Sequence, residues 1–294
     1  MELYQRLHGI LNFNMKRKFT YLFLITIVTI VSFQSCTERI DIELEEGYIQ
    51  LAVEGYLAPN DNKNYVRLSE SSGYFSNVPA PTVSNAIVEV TDGVTTYTLQ
   101  EDAEQPGNYL FPEGFTAYRE QSYEMNISLA EEVGGYLNYN ASAYMPRLTD
   151  RIDSVSVEFN TDFEYWMVLL YAWEPAGPDY YMFNALRNDT LITDTISEVS
   201  IGNDELIDGN YMNGIVVMGF GKKSLKPGDK FTLVLSNISE DYYEYIIQLQ
   251  TEISLSIPIF SGPPANVKSN VSNGAVGYFA AYPSVYTSTI IRSP

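Results

Sequence analysis

From Ile49 onward, apolar residues recur at every second position through much of the chain. That period matches a pleated strand, whose side chains alternate between two faces, and not a helix. Ile49-Gln50-Leu51-Ala52-Val53-Glu54-Gly55-Tyr56 is the first such run and Asn64-Tyr65-Val66-Arg67-Leu68-Ser69 the second. Residues 87–91 and 95–99 flank Asp92-Gly93, a strong hairpin signal between two β-prone runs. Runs at 107–111, 122–128 and 137–144 follow. About seven short strands separated by turn signals favour a β-sandwich.

Pro146 and the polar residues up to 151 read as a boundary. A second β-rich block opens on Ile152-Asp153-Ser154-Val155-Ser156-Val157-Glu158-Phe159 and continues at 166–171, 180–186, 214–220 and 230–235. One helix is expected at about 239–255. Ser239 can cap it, Glu240 and Asp241 suit the positive end of its dipole, and Tyr242, Tyr245, Ile246, Leu249 and Ile253 form an apolar stripe that reads as core. Ser256-Ile257-Pro258 would end it. The expected fold is mainly β. An immunoglobulin- or prealbumin-like sandwich covers 48–146, and a second β-sandwich-like domain with the one helix covers 150–290.

The amino terminus is of a different kind. Lys16, Arg17 and Lys18 precede an apolar run of 15 residues, 19–33, and then Gln34-Ser35-Cys36. Basic, apolar and small-residue regions in that order make a signal peptide, 1–35, and the run is shorter than the ~18–20 residues that span a bilayer. Met15 is a candidate true start. Cys36 is the only cysteine of the chain. Cleavage before it and acylation of its thiol would make a lipoprotein, with 36–47 as a tether.

Without the leader the available chemistry narrows. The single histidine, His8, lies inside it. Ser-His-Asp and Cys-His nucleophiles, His-based metal sites and disulfides are then excluded by composition. No cofactor is expected beyond lipid on Cys36, and no catalytic residue stands out. A pair of carboxylates serving a glycan hydrolase stays open as an alternative. The leader holds four of the 17 basic residues and one of the 37 acidic ones, which leaves 13 against 36, a net charge of −23. Such a surface repels nucleic acid and anionic lipid.

Local motifs are weak. Residues 203–210, Asn-Asp-Glu-Leu-Ile-Asp-Gly-Asn, are oxygen-rich but lack EF-hand spacing, and read better as a solvated loop than as a metal site. Clustered aromatics at Tyr242, Tyr243 and Tyr245, and at Tyr278, Phe279, Tyr282 and Tyr286, suit sugar stacking, core or an interface. Tyr278, Tyr282 and Tyr286 are the candidate interface residues, with a final strand closing the second sandwich as the plainer alternative.

Taken in order, several segments resemble one family. They are Val53-Glu54-Gly55-Tyr56, Arg67-Leu68-Ser69, Asn85-Ala86-Ile87-Val88, Gly107-Asn108-Tyr109, Ile152-Asp153-Ser154-Val155, Ser239-Glu240-Asp241-Tyr242-Tyr243 and residues 269–279. The chain is similar over 36–282 to the Bacteroidota outer-membrane lipoproteins called domain of unknown function 4249. That resemblance implies no catalytic residue. It implies a neighbour, because relatives are found beside TonB-dependent receptors. The expected function is a non-enzymatic binding or accessory subunit of such an uptake system, with a glycan or other small ligand and no nucleic acid. A structural or adhesive surface lipoprotein is a further alternative. The acidic tether, Glu38, Asp41, Glu43, Glu45 and Glu46, loosely resembles a surface-export signal, so the cell surface is expected, with the periplasmic face as the alternative. Asp-Thr-Leu at 189–191 and Asp-Thr-Ile at 194–196 match an O-glycosylation signal of exported Bacteroidota proteins, making Thr190 and Thr195 candidates. Asp153-Ser154-Val155 matches as well, but Ser154 falls on a strand face that can meet the core.

Overall fold

The structure is a computed structural model that describes residues 48–59, 64–72, 78–149, 151–254 and 267–293. The leader, Cys36, the tether and the expected helix stop at 256–258 lie outside the described residues. The chain is mainly β, with several sheets and one helix.

The first core lies between two sheets. β1 (Leu51–Leu57) and β2 (Tyr65–Glu70) form a hairpin continued by β6 (Asn108–Leu110) and β5 (Gln100–Glu101). Facing it are β4 (Thr96–Thr98), β3 (Ile87–Thr91), β7 (Gln121–Val133) and β8 (Tyr136–Met145). The alternation anticipated above decides what is buried: Leu51, Val53, Val66 and Leu68 from one sheet meet Val88, Val90, Met125 and Ile127 from the other. The Asp92-Gly93 hairpin forms between β3 and β4, and the Asp92 carboxylate accepts the Val94 and Thr95 amides at 2.9 and 2.7 Å.

The second core also lies between two sheets. β9 (Ile152–Asn160), β10 (Tyr165–Trp173) and β14 (Tyr211–Gly221) make one. β12 (Thr190–Leu191), β11 (Tyr180–Arg187), β15 (Lys230–Ile238) and β17 (Ser284–Ile290) make the other, with β13 (Ser200–Asn203) also on β11. Val155, Trp166, Val168 and Leu170 face Tyr181, Phe183, Phe231, Leu233 and Leu235 across it. On β9 it is Val155 and Val157 that are buried, while Ser154 is exposed, so the period-two phase puts this serine outside rather than toward the core.

The tail visits both cores. β16 (Val276–Ala281) lies parallel to β1 and sends Phe279 and Ala281 into the first core, and β17 then pairs with β15 at the edge of the second. Gly55 of β1 makes the first docking possible, because a Cβ there would meet the Phe279 ring at 2.6 Å. β15 is buried along nearly its whole length. α1 (Glu240–Ser254) follows it and packs on β11 and the end of β15; it begins at its Ser239 cap with the hydroxyl accepting the Tyr242 amide at 3.3 Å. The stripe on α1 is only partly core. Ile246 is its buried residue, in a cluster with Met182 and Ile238, whereas Ile253 is exposed.

Candidate functional site

Period two gives the strands around α1 a second, opposite set of side chains, and these line a cavity of about 800 Å³. Met182, Asn184 and Leu186 come from β11, Val234 and Ser236 from β15, and Ser284 and Tyr286 from β17. They are the residues one step out of phase with those in the second core. Glu54 and Tyr56 of β1 and Tyr278 of β16 stand in the same relation to the first core. α1 supplies Tyr242, Tyr245 and Leu249. The volume falls within the range of small-molecule sites.

Tyrosine dominates the lining. The Tyr242 ring lies 4.9 Å from Tyr278, 5.8 Å from Tyr282 and 6.0 Å from Tyr245, measured between centroids. Tyr245 lies 4.7 Å from Tyr278, and Tyr56 lies 4.8 Å from Tyr282 and 6.5 Å from Tyr65. The last pair follows from hairpin register. Tyr56 and Tyr65 are cross-strand partners, and Asn64 fixes that register by accepting the Ala58 amide at 2.7 Å and donating to its carbonyl at 3.1 Å. Burial pushes the hydroxyls of Tyr65, Tyr242, Tyr245, Tyr278 and Tyr282 up, so the rings stay neutral. At Tyr65 the Glu54 carboxylate, which accepts a hydrogen bond from its hydroxyl, adds to the effect.

Two other features frame the cavity. Gln250 of α1 donates to the Ile196 and Val199 carbonyls at 2.8 and 2.9 Å and so holds the 192–199 loop against the helix. The polar lining groups largely satisfy one another: Ser236 and Ser284 hydroxyls are 2.7 Å apart, and Thr193 donates to Asn184 at 3.0 Å.

A separate acidic group sits between the β10–β11 turn and the 203–210 loop. Glu174, Asp204 and Asp208 place carboxylate oxygens within 4.8 Å of one another, the one such group among the described residues that could hold a cation. These oxygens already have donors. Glu174 accepts from the Tyr181 hydroxyl at 3.1 Å and from the Gly209 amide, Asp204 from the Asp179 amide at 3.0 Å, and Asp208 from the Gly177 amide at 2.7 Å. Burial pushes the Glu174 carboxyl up to about 7. Arg147 reaches into the group, donating to Asp179 at 2.6 Å and to the Ala176 and Gly177 carbonyls at 3.0 and 3.1 Å. The 203–210 loop is therefore not simply a solvated loop, since Asp204 is buried and ties it to Asp179.

The three candidate interface tyrosines have different places. Tyr278 and Tyr282 are half-buried in the cavity wall, whereas Tyr286 is 64% exposed at its edge. The two aromatic clusters, 33 or more residues apart in sequence, form one wall. Glu54, Tyr56, Tyr65 and Asn184 belong to the site although the sequence marks them only as strand residues; the β1–β2 hairpin pairing is the signal that places Tyr56 opposite Tyr65. Thr190 and Thr195 are both exposed, and Thr195 lies at the cavity rim. Cys36 lies outside the described residues.

Comparison with known proteins adds a family. A search of curated proteins gives no match. Among solved structures, the chain is similar to one from "Cytokine receptor complex - Crystal form 1A", with 11% identity over 66% of this chain and 86% of that one, at a TM-score of 0.24 that supports no argument. The family described as Domain of unknown function (DUF4249) matches residues 37–288, and this chain belongs to it.

Proposed function

We propose that this chain is a lipid-anchored, non-enzymatic binding protein of the outer membrane, working at the cell surface beside a TonB-dependent uptake receptor. The observation that carries the binding reading is the tyrosine-lined cavity, which is large enough for a small molecule and is built from the spare faces of two sheets and one helix. Its lining combines tyrosine rings, aliphatic side chains and neutral polar groups, with Glu54 and Asp194 the only carboxylates among the described lining residues. The anchor follows from the order of leader and Cys36, and the receptor from the company kept by relatives. In this reading the chain needs no cofactor beyond its lipid. Two proteins held in one membrane meet at high effective concentration, so a weak contact suffices.

Mild-detergent extraction and pull-down through a carboxy-terminal tag tests this. The expected result is co-recovery of a large barrel receptor. Recovery of the lipoprotein alone, under conditions that preserve a known receptor–lipoprotein complex, would contradict the accessory role and favour a free binder or an adhesin. Turnover of a glycan, peptide or ester that is abolished by one Asp or Glu substitution would make the chain an enzyme.

A further inference from the structure

The cavity has a chemical bias that narrows what it holds, provided it is a binding site as proposed above. Aromatic faces carry negative potential, and six lining tyrosines lie within 4.7–6.5 Å of a neighbouring ring. The charged lining residues are Glu54 and Asp194, and no Lys, Arg or His is among the described lining residues. Asp241 and Glu244, on α1, lie close enough to Tyr278 to add to the effect of burial on its hydroxyl. Arg67 is the cross-strand neighbour of Glu54 but does not line the cavity.

Three ligand classes fare differently in such a site. An anion would meet two carboxylates and no counter-charge. A neutral polyol such as a sugar could stack on rings, but it would find Ser236, Ser284, Thr193, Asn184 and Tyr65 already hydrogen-bonded to protein partners. Breaking those pairs forfeits most of what a new hydrogen bond returns. A compact cation needs neither. It gains from ring faces directly and from the carboxylates through charge.

We propose that the tyrosine-lined cavity takes a small organic ammonium ion, held against the faces of Tyr242, Tyr245 and Tyr278 with Glu54 as counter-charge. Methylated ammonium groups fit best, because they shed water easily and spread their charge over an apolar surface.

The test uses the full chain in a nonionic polyoxyethylene detergent, titrated by calorimetry with tetramethylammonium, choline, the neutral choline isostere 3,3-dimethylbutan-1-ol and a neutral disaccharide. Choline should bind about ten-fold or more tightly than its isostere. Tyr278→Phe should keep that preference, since the ring face remains, and Tyr278→Leu should lose it. Glu54→Gln, at an exposed position that leaves the core untouched, should weaken choline several-fold and leave the isostere unchanged. Equal affinity for choline and isostere would overturn the inference. Binding of the disaccharide alone would overturn it while leaving the binding function standing. Binding of none of the four probes would also overturn it, and the receptor pull-down then decides the function separately.

Discussion

Gly277 of β16 lies opposite Val53 of β1 in the parallel ladder, so close that a Cβ on Gly277 would sit 2.0 Å from the Val53 carbonyl oxygen. Its φ of 92° is a conformation that side chains with a Cβ rarely adopt. Both facts require glycine for the tail to dock on the first sheet. Gly277→Ala should cost about 2 kcal/mol or more, read as a lower denaturant midpoint. Because Tyr278 is the next residue, the same change should disturb the cavity wall. An unchanged midpoint would mean that β16 does not seat on β1 this closely.

Arg147 is the chief counter-charge for the buried Asp179, and its guanidinium also closes the turn at 175–177. Arg147→Met should cost about 3 kcal/mol, because it leaves a buried carboxylate without its cation. Arg147→Lys should rescue only part of this, since an ammonium cannot span Asp179 and three carbonyls at once. Thermal or denaturant unfolding of the two variants gives the ranking. Equal stability of Lys and Arg at this position would refute the forked geometry.

Glu174 makes stability depend on pH in an unusual direction. Burial lifts its carboxyl from 4.5 to about 7, so the folded chain holds a proton that the unfolded chain releases. The sign follows from linkage: its contribution is fully present below 4.5 and is lost as pH rises through about 7. Asp92 and Glu164 act oppositely, because hydrogen bonds hold their carboxyls below the ordinary value. Comparing wild type with Glu174→Gln isolates the one group. The gap between the two should shift in favour of the Gln variant from pH 5 to pH 8. A constant gap would show that Glu174 is not perturbed.

Cys36 should carry lipid and hold the protein on the membrane, since several acyl chains give stable attachment where one does not. Cys36→Ser should block processing, leave the leader attached and shift the protein out of the lipoprotein fraction. Mass spectrometry that finds an unmodified Cys36 at the mature amino terminus would end this reading.

The strands were legible because burial follows a period that local sequence carries. Val53, Val88 and Val155 are all buried as alternation dictates. The cavity was not legible, because it depends on what the opposite phase of each strand meets. Met182 and Val234 lie within continuous apolar runs, Tyr180–Phe183 and Leu233–Leu235, and nothing local says that their side chains will face a cavity beside α1. The same limit explains Tyr278 and Tyr282. Their clustering with Tyr242 requires β16 to pair with β1, more than 200 residues earlier, and only Gly55 and Gly277 hint at so close an approach. The burial of Asp204 within the otherwise largely exposed 203–210 loop was not legible for a similar reason, since its partner Asp179 lies outside that loop.

Native mass spectrometry of the protein gently purified from its own membrane tests the cavity most directly. The expected spectrum of the wild type has, beyond the mass of the lipidated chain, an increment from a bound small molecule. That increment should vanish in Tyr242→Ala/Tyr278→Ala while the lipid mass stays. An increment that survives the double substitution, or a wild type with the lipid mass alone, would contradict a ligand held by these tyrosines.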